Sequence, residues 1–366
     1  MPKIVLAGAA ALALAAFVPP SAAAPPEACW PGTALSARPG EAQERPMTAA
    51  DRVARPAAAT PGPAVPARLS GVIRRVEVAG GRKLVALTFD LCETGGTIAG
   101  YDGTVVDALR AGGAAATFFA SGKWLATHEE RAAQLLSDPL FAVEAHGWTH
   151  PNLHFAAPEA VAAEALTAEA GLAAARTATA AVCPVGSAAA DGATPLFRFP
   201  FGSCSPEGVA AANAAGMAVI QWDVVPGDPG FVDAKTIARA VVDGVRPGSI
   251  VVMHANGRGR HTGEALAIIV PALKARGYEF VTVDALLAAG TPVTAETCYV
   301  TRPGDTAAYD RKLAKAAPAA NPAAKTALAK STPAGSATAA AMARPVPLAQ
   351  PVAAAGPMPV AAPRRN

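Results

Sequence analysis

Residues 83–93 read Lys83-Leu-Val-Ala-Leu-Thr-Phe-Asp90-Leu91-Cys92-Glu93. A nearly unbroken apolar run ends on an acid. That is the pattern of a strand buried on both faces which delivers a polar group at its C-terminal end. A carboxylate there is costly unless it is paired or used. Taken alone, Asp90 reads either as a structural ion pair or cap, or as a working group.

Similar short runs recur outward from it. Residues 83–90, 116–120, 142–146, 196–200, 217–223, 249–254 and 278–283 are predicted strands, rich in Val, Ile, Phe and Leu. Helices are predicted between them at 104–110, 124–136, 158–177, 206–215, 234–245 and 263–276. Ser205 ahead of Pro206, and likewise Asp233 and Thr262, stand where N-caps are expected. Strands alternating with helices predict a parallel sheet, and both an open sheet and a closed barrel fit. Asp90, His146, Arg198, Asp223 and His254 each fall at or just past a strand end. In a (β/α) barrel those ends converge on one mouth, where catalytic groups gather, so the barrel is preferred.

The ends of the chain differ from this middle. Lys3 precedes an apolar run from Ile4 to Val18, and Pro19, Pro20 and small residues follow. That is the pattern of a secretory signal peptide over residues 1–24, too short for the ~20 residues that span a bilayer. Residues 25–79 are rich in Pro, Ala, Arg and Gly, and read as a linker or partly ordered arm. Residues 301–366 hold nine Lys or Arg, two acids and few bulky apolar residues. They are expected to form a disordered tail, because so little apolar area cannot offset the entropy of ordering. The folded domain is placed at 80–300.

With 31 basic and 28 acidic side chains the net charge is +3. That excludes a strongly basic nucleic-acid binder. Five cysteines, Cys29, Cys92, Cys183, Cys204 and Cys298, imply pairing in an oxidising compartment with at least one left free. There is no Cys-x-x-Cys, hence no structural zinc cluster by spacing.

Four further stretches carry chemistry. His146-Gly-Trp148-Thr-His150-Pro151 places two imidazoles four apart, and they can share a divalent metal if the backbone coils after the strand. His154 reads as surface or support. Arg198 lies among Phe197, Phe199 and Phe201, so its guanidinium needs an internal anion, as a salt bridge or to orient a catalytic carboxylate. Trp222, beside Asp223, is either a sugar-stacking wall or core. His254 closes the apolar strand Ile250-Val-Val252-Met253 and points to the mouth.

Together these residues resemble the polysaccharide deacetylase, or NodB-homology, family over roughly residues 80–290. The family motif TFDDG is TFDLCE here. His-Ser/Thr-x-x-His-Pro corresponds to His146 through Pro151, and Arg-x-Pro-Tyr-Gly to Arg198-Phe-Pro-Phe-Gly202. Asp-x-x-Asp-Trp is met only in part by Val225-Pro-Gly-Asp228-Pro229, and the final apolar-x-His by Val252-Met253-His254. The resemblance implies a distorted (β/α) barrel of about seven parallel strands. It implies Asp90 as general base, His146 and His150 as metal ligands, Arg198 pairing with Asp90, His254 as general acid held by Asp228, and Val252 in the acetyl-methyl pocket. The family's second Asp, its third metal ligand, is Leu91 here. Glu93, Asp90 or water is expected to take its place, with weaker metal binding, and the absent Trp implies an altered groove wall.

The expected activity is metal-dependent removal of N-acetyl groups from an envelope or extracellular polysaccharide, in the periplasm or secreted. Zn2+ is the expected metal, with Co2+ or Mn2+ as alternatives. The expected partner is the polysaccharide, with no nucleic acid and no membrane span once the signal is cleaved. Two other readings are a hydrolase of another non-peptide carbon–nitrogen amide, with or without metal, and a non-catalytic glycan-binding relic.

Overall fold

The computed structural model describes residues 26–93, 96–183 and 194–316, with side chains to 312. The expected signal peptide and everything beyond 316 lie outside the described residues. Seven strands form a closed, mixed barrel: β1 (Val72–Val78), β2 (Leu84–Leu91), β3 (Ala116–Ala120), β4 (Phe141–Ala145), β5 (Leu196–Phe197), β6 (Ala218–Ile220) and β7 (Ser249–His254). Around the ring β2 pairs with β3, β3 with β4, β4 with β5, β5 with β6 and β6 with β1, all in parallel. β7 closes the ring, parallel to β2 over six residues and antiparallel to β1 at Arg75 and Ser249. Two outer strands extend the sheet. β8 (Glu279–Phe280) pairs parallel with β2, and β9 (Gly290–Ala295) antiparallel with β1.

Side chains alternate along β2, and the alternation separates two cores. Leu84 and Ala86 turn into the barrel with Ile73, Phe119, Ile220, Ile250 and Val252. Val85, Leu87, Phe89 and Leu91 turn outward beneath the helices. The outer layer is built by α1 (Gly103–Ala111), α2 (Gly122–Thr127), α3 (Glu129–Ser137), α4 (Pro158–Val182), α5 (Pro206–Ala214), α6 (Ala234–Gly244) and α7 (Thr262–Ala275). Ser205 caps α5 by accepting from the Gly208 amide, and Asp233 caps α6 by accepting from Thr236. The single helix predicted over 124–136 is two, because His128 at φ −125° breaks it and stacks on Trp124 at 4.5 Å.

Three expectations are corrected. Val72–Val78, read as part of the arm, is a barrel strand, so the folded unit begins before residue 80. The chain just after 300 is ordered. Arg74, buried in β1, donates to the carbonyls of Tyr299 and Val300, and its guanidinium lies 3.5 Å from the Tyr299 ring centre. Asp305 then accepts from the amides of Val300, Thr301 and Arg302, and buried Asp310 accepts from Ser203 at 2.9 Å. The strand predicted over 278–283 shrinks to two residues because Thr282 caps a helix starting at Val283.

Disulfides tie the periphery down, Cys29 to Cys183 and Cys204 to Cys298, leaving Cys92 free and buried. The arm packs rather than trails: Arg131, buried on α3, is paired with Glu41 at 2.7 Å. No described helix is long and apolar enough to cross a membrane.

Candidate active site

Asp90 ends its stretch of β2 facing the barrel interior and is the register partner of His254 on β7. Arg198, fully buried just past β5, reaches across to it, with Nη1 to Oδ1 at 2.7 Å. The guanidinium also lies 3.9 Å from the Phe119 ring centre. A buried arginine is tolerable only with such partners. The other carboxylate oxygen, Oδ2, lies 3.5 Å from His146 Nε2. Burial alone would raise Asp90. Arg198, then His146 and His254, outweigh it and hold the acid below the ordinary carboxylate value.

His146 follows β4 directly, and its Nδ1 bonds the Arg198 carbonyl at 2.9 Å. With the proton on Nδ1 the lone pair is left at Nε2, toward Asp90. The backbone then coils. Gly147 takes φ 75°, His150 takes φ 57°, and Glu164 of α4 accepts from the Trp148 and Thr149 amides. A left-handed non-glycine residue costs about 1–3 kcal/mol, and such strain gathers at working sites. The coil brings the His150 ring to 4.9 Å from that of His146, and exposed Phe201 covers it at 4.3 Å. Burial holds both imidazoles below their ordinary value, His150 well below, so both are neutral at pH 7.

His146 Nε2 and His150 Nδ1 are buried without a hydrogen-bond partner among the described residues. An orphaned buried nitrogen costs about 1–3 kcal/mol, and two beside each other fit a divalent cation. The side chain that joins them is Cys92. Its Sγ and one ring nitrogen from each histidine all lie within 4.8 Å of one another. Glu93, an expected substitute for the missing acid, does not come here. Its fully buried carboxylate is taken by Lys123 at 2.6 Å and by the Thr127 hydroxyl. Leu91 is outward, in the core under the helices.

On the other side of Asp90, His254 Nδ1 bonds Asp228 Oδ1 at 3.1 Å, while Asp228 Oδ2 accepts the His254 amide at 2.7 Å. Thr262, expected as a cap, is instead the first residue of α7, and its hydroxyl donates to Asp228 Oδ2 at 2.9 Å. Burial would depress His254. Asp228, by charge and hydrogen bond, with help from Asp90, carries it above its ordinary value. Val252 lies buried one turn of the pleat below His254.

Two expected members are elsewhere. Asp223 accepts from the Ser249 hydroxyl and the Ile250 amide, so it clamps the start of β7 rather than the mouth. β6 ends at Ile220, and the chain has turned before Asp223 is reached. Trp222 is buried, donates to the Val300 carbonyl, and is core rather than a sugar wall. Thr262 and Cys92 were not anticipated. Cys92 was open to strand alternation, being two residues past Asp90 on the same side.

The polysaccharide deacetylase profile matches residues 77–220. A chitooligosaccharide deacetylase of Bradyrhizobium is 30% identical over 189 residues, covering 48% of this chain and 79% of that protein. The peptidoglycan-N-acetylglucosamine deacetylase PgdA of Listeria monocytogenes is 28% identical over 204 residues, 56% of this chain and 39% of that one. The solved Bc1960 peptidoglycan N-acetylglucosamine deacetylase shares the fold at a TM-score of 0.51 and 22% identity, covering 61% of this chain and 95% of that one. With its barrel, its strand-end acid and its paired imidazoles, the chain belongs to the polysaccharide deacetylase family of carbohydrate deacetylases.

Proposed function

We propose that the protein is a metal-dependent hydrolase that removes N-acetyl groups from an N-acetylated amino-sugar polysaccharide of the cell envelope. The observation that carries this is the position of Asp90, between Arg198 and the neutral imidazole pair and in register with His254. A divalent ion held by His146 and His150 would polarise the acetyl carbonyl and acidify a water molecule.

The chain's own groups do the proton transfers. Asp90, kept ionised by Arg198, takes a proton from water as its oxygen attacks the acetyl carbon. Arg198 cannot give up its charge and fixes the carboxylate's orientation. As the carbon–nitrogen bond breaks, His254 gives the Nε2 proton to the departing nitrogen. Asp228 holds the opposite ring nitrogen and stabilises the imidazolium that donates. One water is consumed, and acetate and a free amino sugar are produced. The two disulfides support a reading in which the chain works outside the reducing cytosol.

The test is acetate release from N-acetylglucosamine oligomers and from peptidoglycan, by chelator-treated protein reloaded with Zn2+, Co2+ or Mn2+. Release is expected with metal, and a loss of about 10²–10⁴-fold in His254→Ala. No release with any of the three metals overturns the proposal. Equal release by His254→Ala overturns the role of His254.

A further inference from the structure

We propose that Cys92 is the third protein ligand of the metal, forming a Cys–His–His centre with His146 and His150. This rests on the metal dependence proposed above. The strand period places it: Asp90 and Cys92 face one way, while Leu91 between them is sealed in the outer core. Leu91 faces that core and offers no ligand atom. The thiol two residues past Asp90 lies beside both imidazoles.

Three observations beyond the thiol itself point to a ligand. The nitrogens His146 Nε2 and His150 Nδ1 are unpartnered, and both side chains are more than nine-tenths buried. The remaining nitrogen of His146 is already committed to the Arg198 carbonyl, as in metal-bound histidines whose second nitrogen fixes the ring. The sulfur has its own support. Buried Asn256, two residues after His254, donates from Nδ2 to the Cys92 carbonyl at 2.9 Å and to Cys92 Sγ at 3.2 Å. A cysteine acting as a small apolar filler would be set among apolar groups. This one is set among two imidazoles and an amide, in a chain whose four other cysteines are all in disulfides.

The chemistry follows from the ligand set. One thiolate and two neutral imidazoles leave a divalent ion at the same formal charge as one carboxylate and two imidazoles, so the metal's task is preserved. The softer sulfur shifts preference toward Zn2+ and Co2+ and away from Mn2+ and Mg2+.

The experiment uses the full chain with its disulfides intact, stripped by chelator and titrated with Co2+ and Zn2+. Binding of one ion per chain is expected. The Co2+ form should show a near-ultraviolet thiolate-to-cobalt charge-transfer band. Cys92→Ser should abolish that band and weaken Zn2+ binding, in competition with a chromophoric chelator, by more than the about 10–100-fold that loss of an outer-sphere contact costs. Asn256→Ala should keep the band and weaken binding within that range. A Co2+ form of the wild type that lacks the band overturns the assignment without recourse to any variant. If such a form still releases acetate, the deacetylase reading stands and only Cys92 falls. Failure to bind either ion overturns both.

Discussion

Asp90 and Asp228 are both buried carboxylates at the barrel mouth, and the fold equips them oppositely. Asp228 is engaged on both oxygens: the amide and ring of His254 and the hydroxyl of Thr262 all donate to it. Asp90 has one strong donor, Arg198, on Oδ1, and its Oδ2 stands 3.5 Å from a histidine nitrogen without a hydrogen bond to it. A carboxylate with a donor on each oxygen can orient and stabilise but has neither oxygen standing open to take a proton. One that is ionised yet keeps an oxygen open can. Two similar acids thus receive different tasks from their donors. In the proposed mechanism Asp90 is therefore the base, and Asp228 is the residue that positions and charges His254.

The largest expected effect follows from that contrast. Asp90→Asn keeps shape but removes the proton acceptor, and kcat/KM should fall by about 10²–10⁴-fold, with KM changing far less than kcat. Deacetylation of a chitooligosaccharide substrate followed by acetate release measures it. The contrast breaks if Asp228→Asn proves the more damaging of the two.

The next effect is read in pH rather than in rate alone. As the proposed acid, His254 must carry its proton to donate it, so activity should fall as pH rises through its pKa. In the wild type that pKa is raised, so the alkaline limb lies above the ordinary histidine value. Asp228→Asn removes the anion that opposes burial, so the histidine pKa drops and the alkaline limb moves to lower pH. With Asp90 as the proposed base the acid limb is its own, held below the ordinary carboxylate value, and should stay where it is. A kcat/KM profile of wild type and variant decides this. Movement of the acid limb instead would reassign the two carboxylates.

How much of this was legible in the sequence depends on what the sequence displays directly. Asp90, His146, Arg198 and His254 stand out because each is a polar group at the end of an apolar run, and the fold does bring them together. Asp223 shows the same signature and belongs elsewhere, because hydrophobicity does not reveal that the strand stops at Ile220. β1 was hidden for a different reason. Val72-Ile-Arg-Arg-Val-Glu-Val78 mixes charges into its run and follows a Pro/Ala-rich stretch, and its buried Arg74 is accommodated by carbonyls more than 200 residues along the chain. Cys92 was passed over because matching motifs position by position leads to Leu91, whereas side-chain direction in a strand runs by twos. Thr262 looked like a cap because caps and charged-group donors draw on the same residue types.

Thr262 also gives the smallest and most discriminating test of the contrast between the acids. Thr262→Val is close in shape and removes one of the three donors to Asp228 while leaving both bonds from His254. If Asp228 works through its bonds to His254, losing a donor that holds neither the ring nor the substrate should cost about 1.5–3 kcal/mol of stability, the worth of a hydrogen bond to a charged group. Its effect on kcat/KM should be within about tenfold, because the pair with His254 survives. Chemical denaturation and a kcat/KM measurement on the same preparation supply the two numbers. A catalytic loss as large as that of Asp228→Asn would show that orientation of the carboxylate, rather than its charge, is what His254 depends on.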